Sequence, residues 1–167
     1  MGLTRGLTKI ELSDIATDGG VGTTFATLGF TDADSTASFT QADATETLFM
    51  AAESDQPVDK DVTPGAITLA YSLLDPDPDK MVILFGGTVT GSGSAKVWSA
   101  PLQSVTIEKS VKITPKKGMV ITVVRGQLSA KINFDLQKTS KMVVDISIAV
   151  LVPTKSATAP FTLGPTV

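Results

Sequence analysis

The chain has no cysteine and no histidine in its 167 residues. Without cysteine there is no disulfide, no thiolate nucleophile and no thiolate metal site. Without histidine the commonest metal ligand and the usual general base are missing, and with them every Ser-His-Asp or Cys-His arrangement. Aromatic residues are also scarce, with one Trp and one Tyr. That scarcity argues against glycosidase chemistry at the carboxylates Glu53, Asp55, Asp59 and Asp61, although paired carboxylates are what such chemistry uses. Lysines 109, 112, 116, 117, 131, 138 and 141 have no aromatics interleaved to stack bases. They read better as a solvated sheet face or a protein interface than as a nucleic-acid patch. No spacing supports a Ser–Lys dyad. Long apolar runs are missing too. The longest, 142–152, is interrupted by Asp145 and is too short to span a bilayer. Met1-Gly2-Leu3-Thr4-Arg5-Gly6 lacks the apolar run of a secretory signal and has Gly6 where myristoylation wants Ser or Thr. The expectation is a product made in the cytoplasm that stays soluble until it assembles.

What is present is the composition of one folded domain, 42% hydrophobic and 19% charged, large enough for an ordinary core. The charge is unevenly placed. Residues 1–80 carry 14 acidic and 4 basic side chains, whereas residues 81–167 carry 3 acidic and 10 basic. Opposite-sign regions of this kind steer association and set register between copies.

The apolar pattern has period two through much of the second half. Val105, Ile107, Val111 and Ile113 alternate with Thr106, Glu108, Ser110, Lys112 and Thr114. Leu128, Ala130, Ile132, Phe134 and Leu136 alternate with polar neighbours, and so do Met142, Val144, Ile146, Ile148, Val150 and Val152. Such runs predict half-buried antiparallel strands. Pro115 and Gly118 predict a turn before the strand 119–124, and Arg125-Gly126 a break after it. Ile67, Leu69, Tyr71 and Leu73 predict another strand. Shorter ones are expected near 8–15, 24–28, 35–40 and 46–52. One helix is marked by Asp77 as its cap, Pro78 at the first position, Asp79 at the positive end of the dipole and Gly86 as its stop. Met81, Leu84 and Phe85 would share its buried face. The fold class is therefore mainly β, an antiparallel β-sandwich or barrel with one short flanking α-helix.

Three segments stand outside that pattern. Residues 31–61 read as a mobile acidic loop, 88–95 as a Gly/Ser loop or hairpin tip, and 153–167 as an extended C-terminal arm appended to a domain at 1–152. Two motifs dissolve on inspection. Gly86 to Ser92 has the glycine spacing of a phosphate loop but lacks its lysine and follows a helix. Asp75-Pro76-Asp77-Pro78-Asp79 begins like a calcium loop but has Lys80 and Gly86 where glycine and a carboxylate belong. Trp98 reads as a core or interface anchor. No cofactor and no metal is called for.

Several stretches together resemble the major tail (tail tube) proteins of tailed bacteriophages. They are Phe39-Thr40-Gln41-Ala42-Asp43-Ala44-Thr45-Glu46, Ala52-Glu53-Ser54-Asp55-Gln56-Pro57, the strand 66–73, the helix 79–85 with Gly86-Gly87-Thr88, Trp98-Ser99-Ala100-Pro101, and Val150-Leu151-Val152-Pro153. The resemblance lies in the order and texture of elements over 29–153. It implies a non-enzymatic subunit that forms rings, usually hexameric, stacked with other tail proteins into a virion tube for double-stranded DNA. No small-molecule substrate and no membrane insertion are implied. A ring needs two different, complementary surfaces on each subunit, and the charge split could supply them. A DNA conduit needs a lumen that does not hold phosphates, so Asp32, Asp34, Asp43 and Glu46 are expected to face it. Asp55, Asp59, Asp61, Lys112, Lys116, Lys117 and Trp98 are expected at contacts between subunits or rings. Two alternatives stay open: a β-sandwich decoration or adhesion module, and an enzyme or small-ligand binder on a barrel scaffold.

Overall fold

A computed structural model describes residues 3–74, 76–134 and 140–166. The elements in chain order are β1 (Arg5–Ser13), β2 (Ala26–Thr27), β3 (Ser38–Gln41), β4 (Thr45–Met50), β5 (Pro57–Thr63) and β6 (Ile67–Leu74). There follow α1 (Pro78–Phe85), β7 (Thr88–Thr90), a 3-10 turn (Gly93–Ala95) and β8 (Val97–Ser99). The long strands β9 (Ile107–Lys117), β10 (Met119–Phe134) and β11 (Met142–Leu151) come next, and β12 (Phe161–Thr166) last. The chain is mainly β, antiparallel, with one short helix, as the alternation predicts.

One sheet runs in the order β2-β1-β9-β10-β11-β6-β3, and β12 also pairs with β10. It folds into two layers because β10 changes partner along its length. Met119–Val123 pairs with β12, whereas Arg125–Phe134 pairs with β11. The change falls where the register against β9 shifts, between Val123 and Gly126. A Cβ on Gly126 would lie 2.5 Å from the side chain of Ile148, so the two strands approach this closely through glycine. Ile10, Leu12, Val111, Ile113 and Val123 from one layer and Leu69, Tyr71, Leu73, Val144, Ile146 and Ile148 from the other form a single buried cluster. Phe39 on β3 meets Phe161 on β12 edge to face at 5.6 Å, which draws the two layers together along one side.

The helix is built as its sequence predicts. Asp77 accepts from the backbone N–H groups of Asp79 and Lys80 at 2.9 and 3.1 Å, satisfying two donors the first turn leaves free. Gly86 ends it with φ at 75°, a conformation that favours glycine. Met81 and Leu84 are buried in the core cluster.

The structure corrects four expectations. The segment 31–61 holds β3, β4 and most of β5 and is not an irregular loop; Val58, Lys60 and Val62 alternating with Asp59 and Asp61 were the overlooked strand signal. The 153–167 arm ends in β12, a strand of the body, with Phe161 packed on the core. Arg125-Gly126 is a bulge inside a continuous β10 and does not end it. Ser110, on the face expected to be polar and solvated, is fully buried; its hydroxyl donates to the Val124 carbonyl at 2.6 Å and accepts from the Gly22 N–H at 2.9 Å. Within 88–95, Thr88–Thr90 is the strand β7, which pairs with β8, so the tip of this hairpin is 91–96. Leu136, Lys138 and Asp75 lie outside the described residues.

Candidate functional site: a projecting hairpin and an open groove

Two features of the surface stand apart. The first is the β4–β5 hairpin. It continues the β3–β6 pair, joined through the Ala42 N–H bonded to the Ala66 carbonyl at 2.9 Å. At this joint a Cβ on Gly65 would lie 2.0 Å from the Ala42 carbonyl oxygen, so glycine is required there. Beyond it the ribbon extends by roughly 20 Å, six residues at about 3.3 Å each, as a separate two-stranded sheet. Every residue of both strands is exposed.

Its two faces differ. Pairs that lie directly opposite share a face, and successive residues alternate. Glu46 pairs with Val62 and Leu48 with Lys60, so Leu48 and Val62 lie on one face beside the Glu46–Lys60 ion pair at 2.6 Å, and Met50 follows past a register shift that leaves Val58 as the extra residue of β5. Those four apolar side chains are 47–63% exposed. The other face carries Thr47, Phe49, Asp59 and Asp61, and the turn adds Glu53 and Asp55. The hairpin is thus amphipathic and acidic, and its apolar face is in solvent.

The second feature is a groove of about 1020 Å³ at one open side of the sandwich. β1 pairs with β9 along its length but meets β2 at Glu11 and Leu12 alone, so its outer edge over residues 5–10 has no strand partner among the described residues. The groove runs along that edge. Leu7, Ile10, Leu28, Leu69 and Ile113 line it, and Phe30, 83% exposed, stands at its rim. Arg5, Lys9 and Lys80 line it as well. Arg5 pairs across strands with Lys117, next to Lys116. Like charges placed opposite one another are unfavourable. Among the described residues Arg5, Lys80, Lys116 and Lys117 make no ion pair. The two carboxylates of the lining are already engaged, Asp77 by the helix N-terminus and Asp32 by Lys141.

The residues expected to face a lumen separate. Asp32 is 6% exposed. Lys141 Nζ donates to Asp32 Oδ1 at 2.6 Å and to Asp34 Oδ2 at 2.5 Å, and the Asp34 N–H also donates to Asp32. The hydrogen bond from Lys141 holds the Asp32 carboxyl below the usual carboxylate range, and the two carboxylates raise Lys141. Asp32 and Asp34 therefore clamp the 31–34 segment to Lys141, the residue before β11, and Asp32 drops out of the set of exposed acids. Asp43 stays exposed at the hairpin root, and Glu46 lies on the hairpin itself, paired with Lys60.

Of the expected contact residues, Asp55, Asp59 and Asp61 gather on the hairpin, and Lys116 and Lys117 gather with Arg5 beside the groove. Lys112 is half-buried, with its ammonium 5.9 Å from the ring centroid of Phe25. Trp98 is occupied within its own chain: its indole N–H donates to the Gly86 carbonyl at 2.9 Å and its ring rests on Phe85. The lysines do not form one patch. Lys109 bonds to Asp14, Lys141 to Asp32 and Asp34, and Lys131 sits opposite Asp145 on β11. Asp79, within the calcium-like motif, bonds to Lys96. Among the described residues no group of three or more metal-ligating side chains is assembled, and no helix is long and apolar enough to cross a membrane. The groove was invisible to sequence reasoning, since its walls come from segments more than 40 residues apart, such as Leu7, Leu69 and Ile113. No family model matches the sequence, and no curated protein matches it.

Proposed function

We propose that this chain is a structural subunit that assembles with copies of itself, stacking as rings into a phage tail tube that conducts double-stranded DNA. The observation that carries the reading is the β4–β5 hairpin, which holds an apolar face in solvent on a stalk clear of the body. A two-stranded hairpin alone is marginal in water, and a contiguous exposed apolar face marks an interaction surface. The uneven charge adds to this support, because acidic and basic surfaces on one chain are complementary between copies and permit a head-to-tail contact that closes into a ring or extends as a filament. In this reading the role is mechanical and the chain acts in the virion tail, with DNA passing through unbound.

Negative-stain electron microscopy over a concentration series tests it. Rings or tubes with a central hole are expected as concentration rises. Dispersed monomers at every concentration would overturn the reading and favour a β-sandwich decoration or adhesion module, for which the open groove would be the natural binding surface.

A further inference from the structure

We infer that the groove beside β1 is the seat for the β4–β5 hairpin of a second copy, an inference that rests on the self-assembly reading and gives it a specific interface. Each feature lacks in its own chain what the other supplies. The hairpin presents Leu48, Met50 and Val62 to solvent on one face, with Val58 exposed at the register shift. The groove presents the half-buried Leu7 and the exposed rim residue Phe30, with Ile10 and Leu28 of the core behind them. The hairpin carries five acidic residues, Glu46, Glu53, Asp55, Asp59 and Asp61, against one basic residue, Lys60. The groove and its end carry Arg5, Lys80, Lys116 and Lys117, none of which makes an ion pair among the described residues. Docking would bury the apolar face against the groove wall and bring the net-negative hairpin beside the Arg5–Lys117 pair. That relieves the like-charge contact on β1 and β9. It also explains why β1 keeps an open edge over residues 5–10: an incoming ribbon can lie along it, with backbone hydrogen bonds adding to side-chain burial. The contact joins two different surfaces, so each copy is both donor and acceptor, and the interface propagates.

The absence of cysteine makes the test clean. Thr8→Cys on the groove wall and Leu48→Cys on the hairpin are each prepared alone, mixed, and oxidised. Both sites are exposed in the monomer. A second pair, Phe30→Cys with Val62→Cys, guards against a variant that fails to fold, and Lys131→Cys on the outer face of β10 serves as the collision control. The mixed disulfide is expected to exceed either homodimer and the Lys131 control by about tenfold, the ratio that 1.4 kcal/mol of preference gives. If both proteins still form rings or tubes but neither pair cross-links above the control, the seat is wrong and the assembly reading survives. A dominant Leu48→Cys homodimer would replace the seat with a hairpin-to-hairpin contact. Monomers with no cross-link in either pair would overturn both.

Discussion

The sandwich body and the β4–β5 hairpin are written in the same alternating pattern and end in opposite states. Along β6 and β11, Leu69, Leu73, Val144, Ile146 and Ile148 are at most 2% exposed. Along β4 and β5, Leu48, Met50, Val58 and Val62 are at least 47% exposed. Burying one such side chain is worth about 1.5–3 kcal/mol. The body gains this from itself, because its two layers face each other. The hairpin has one layer and gains it when something covers that layer. A strand pattern therefore specifies which side chains seek burial, and the topology decides whether the cover is the same chain or another.

The largest expected effect contrasts the two regions directly. Ile148→Ala removes buried methylenes from the centre of the core and should cost about 2–5 kcal/mol in urea unfolding. Leu48→Ala in the monomer should stay within about 0.5 kcal/mol, as surface changes do. Equal costs would mean that the hairpin is packed in the monomer, and the contrast would collapse.

The next effect sharpens the contrast by moving it to the assembly. Leu48→Asp with Met50→Asp should leave the monomer's unfolding midpoint unchanged. It should lower assembly, read by sedimentation across a concentration series, about thirtyfold, as loss of a 2 kcal/mol interface anchor does. Undiminished assembly would show that the apolar face is not the contact.

A smaller effect lies in the body. Asp77→Ala removes the helix cap and should cost about 1 kcal/mol, with Asp77→Asn retaining most of it, both measured by thermal melting.

The smallest effect is a pH dependence of the body. Arg125 donates twice to Glu108, at 2.8 Å each, and donates once to the Val152 carbonyl. This hydrogen bonding lowers Glu108 below the ordinary glutamate value and raises Arg125. A carboxyl depressed in the folded state contributes stability that is fully present above the unfolded value, about 4.3, and is lost as pH falls through the folded value. The melting temperature should decline below about pH 4.3, and Glu108→Gln should flatten that decline. At the alkaline end the raised Lys141 gives the mirror case: its stabilisation is present below the unfolded value of about 10.4 and is lost as pH rises through the folded one. An acid decline unchanged by Glu108→Gln would place the acid-sensitive contact elsewhere.

Much of the body was legible because its signals are local. The cap at Asp77, the stop at Gly86 and the alternation around Ile146 each depend on a few neighbouring residues. The misreadings came where a local signal was weak or a distant partner overrode it. β5 is a short alternation of Val with Lys and Asp, which composition alone reads as an acidic loop. Arg125-Gly126 has the form of a break, but β11 and β12 both pair with β10 on either side of it, so the backbone bends there and continues. Ser110 was assigned to a solvated face and is buried because the segment around Gly22 crosses over it.

The candidate site divides in the same way. That the first half is acidic and the second basic is a property of the sequence, and so are the missing cysteine and histidine, the strand periods and the helix boundaries. Each follows from composition or from spacing of a few residues. The tertiary structure decided which acids remain available, by bringing Lys141 onto Asp32 and Asp34 across more than 100 residues. It also decided that β10 serves both layers, that β4 and β5 stand clear of them, and that the edge of β1 stays open. These are pairings between distant segments, chosen by the burial of whole faces against one another, and no short stretch of sequence contains both partners.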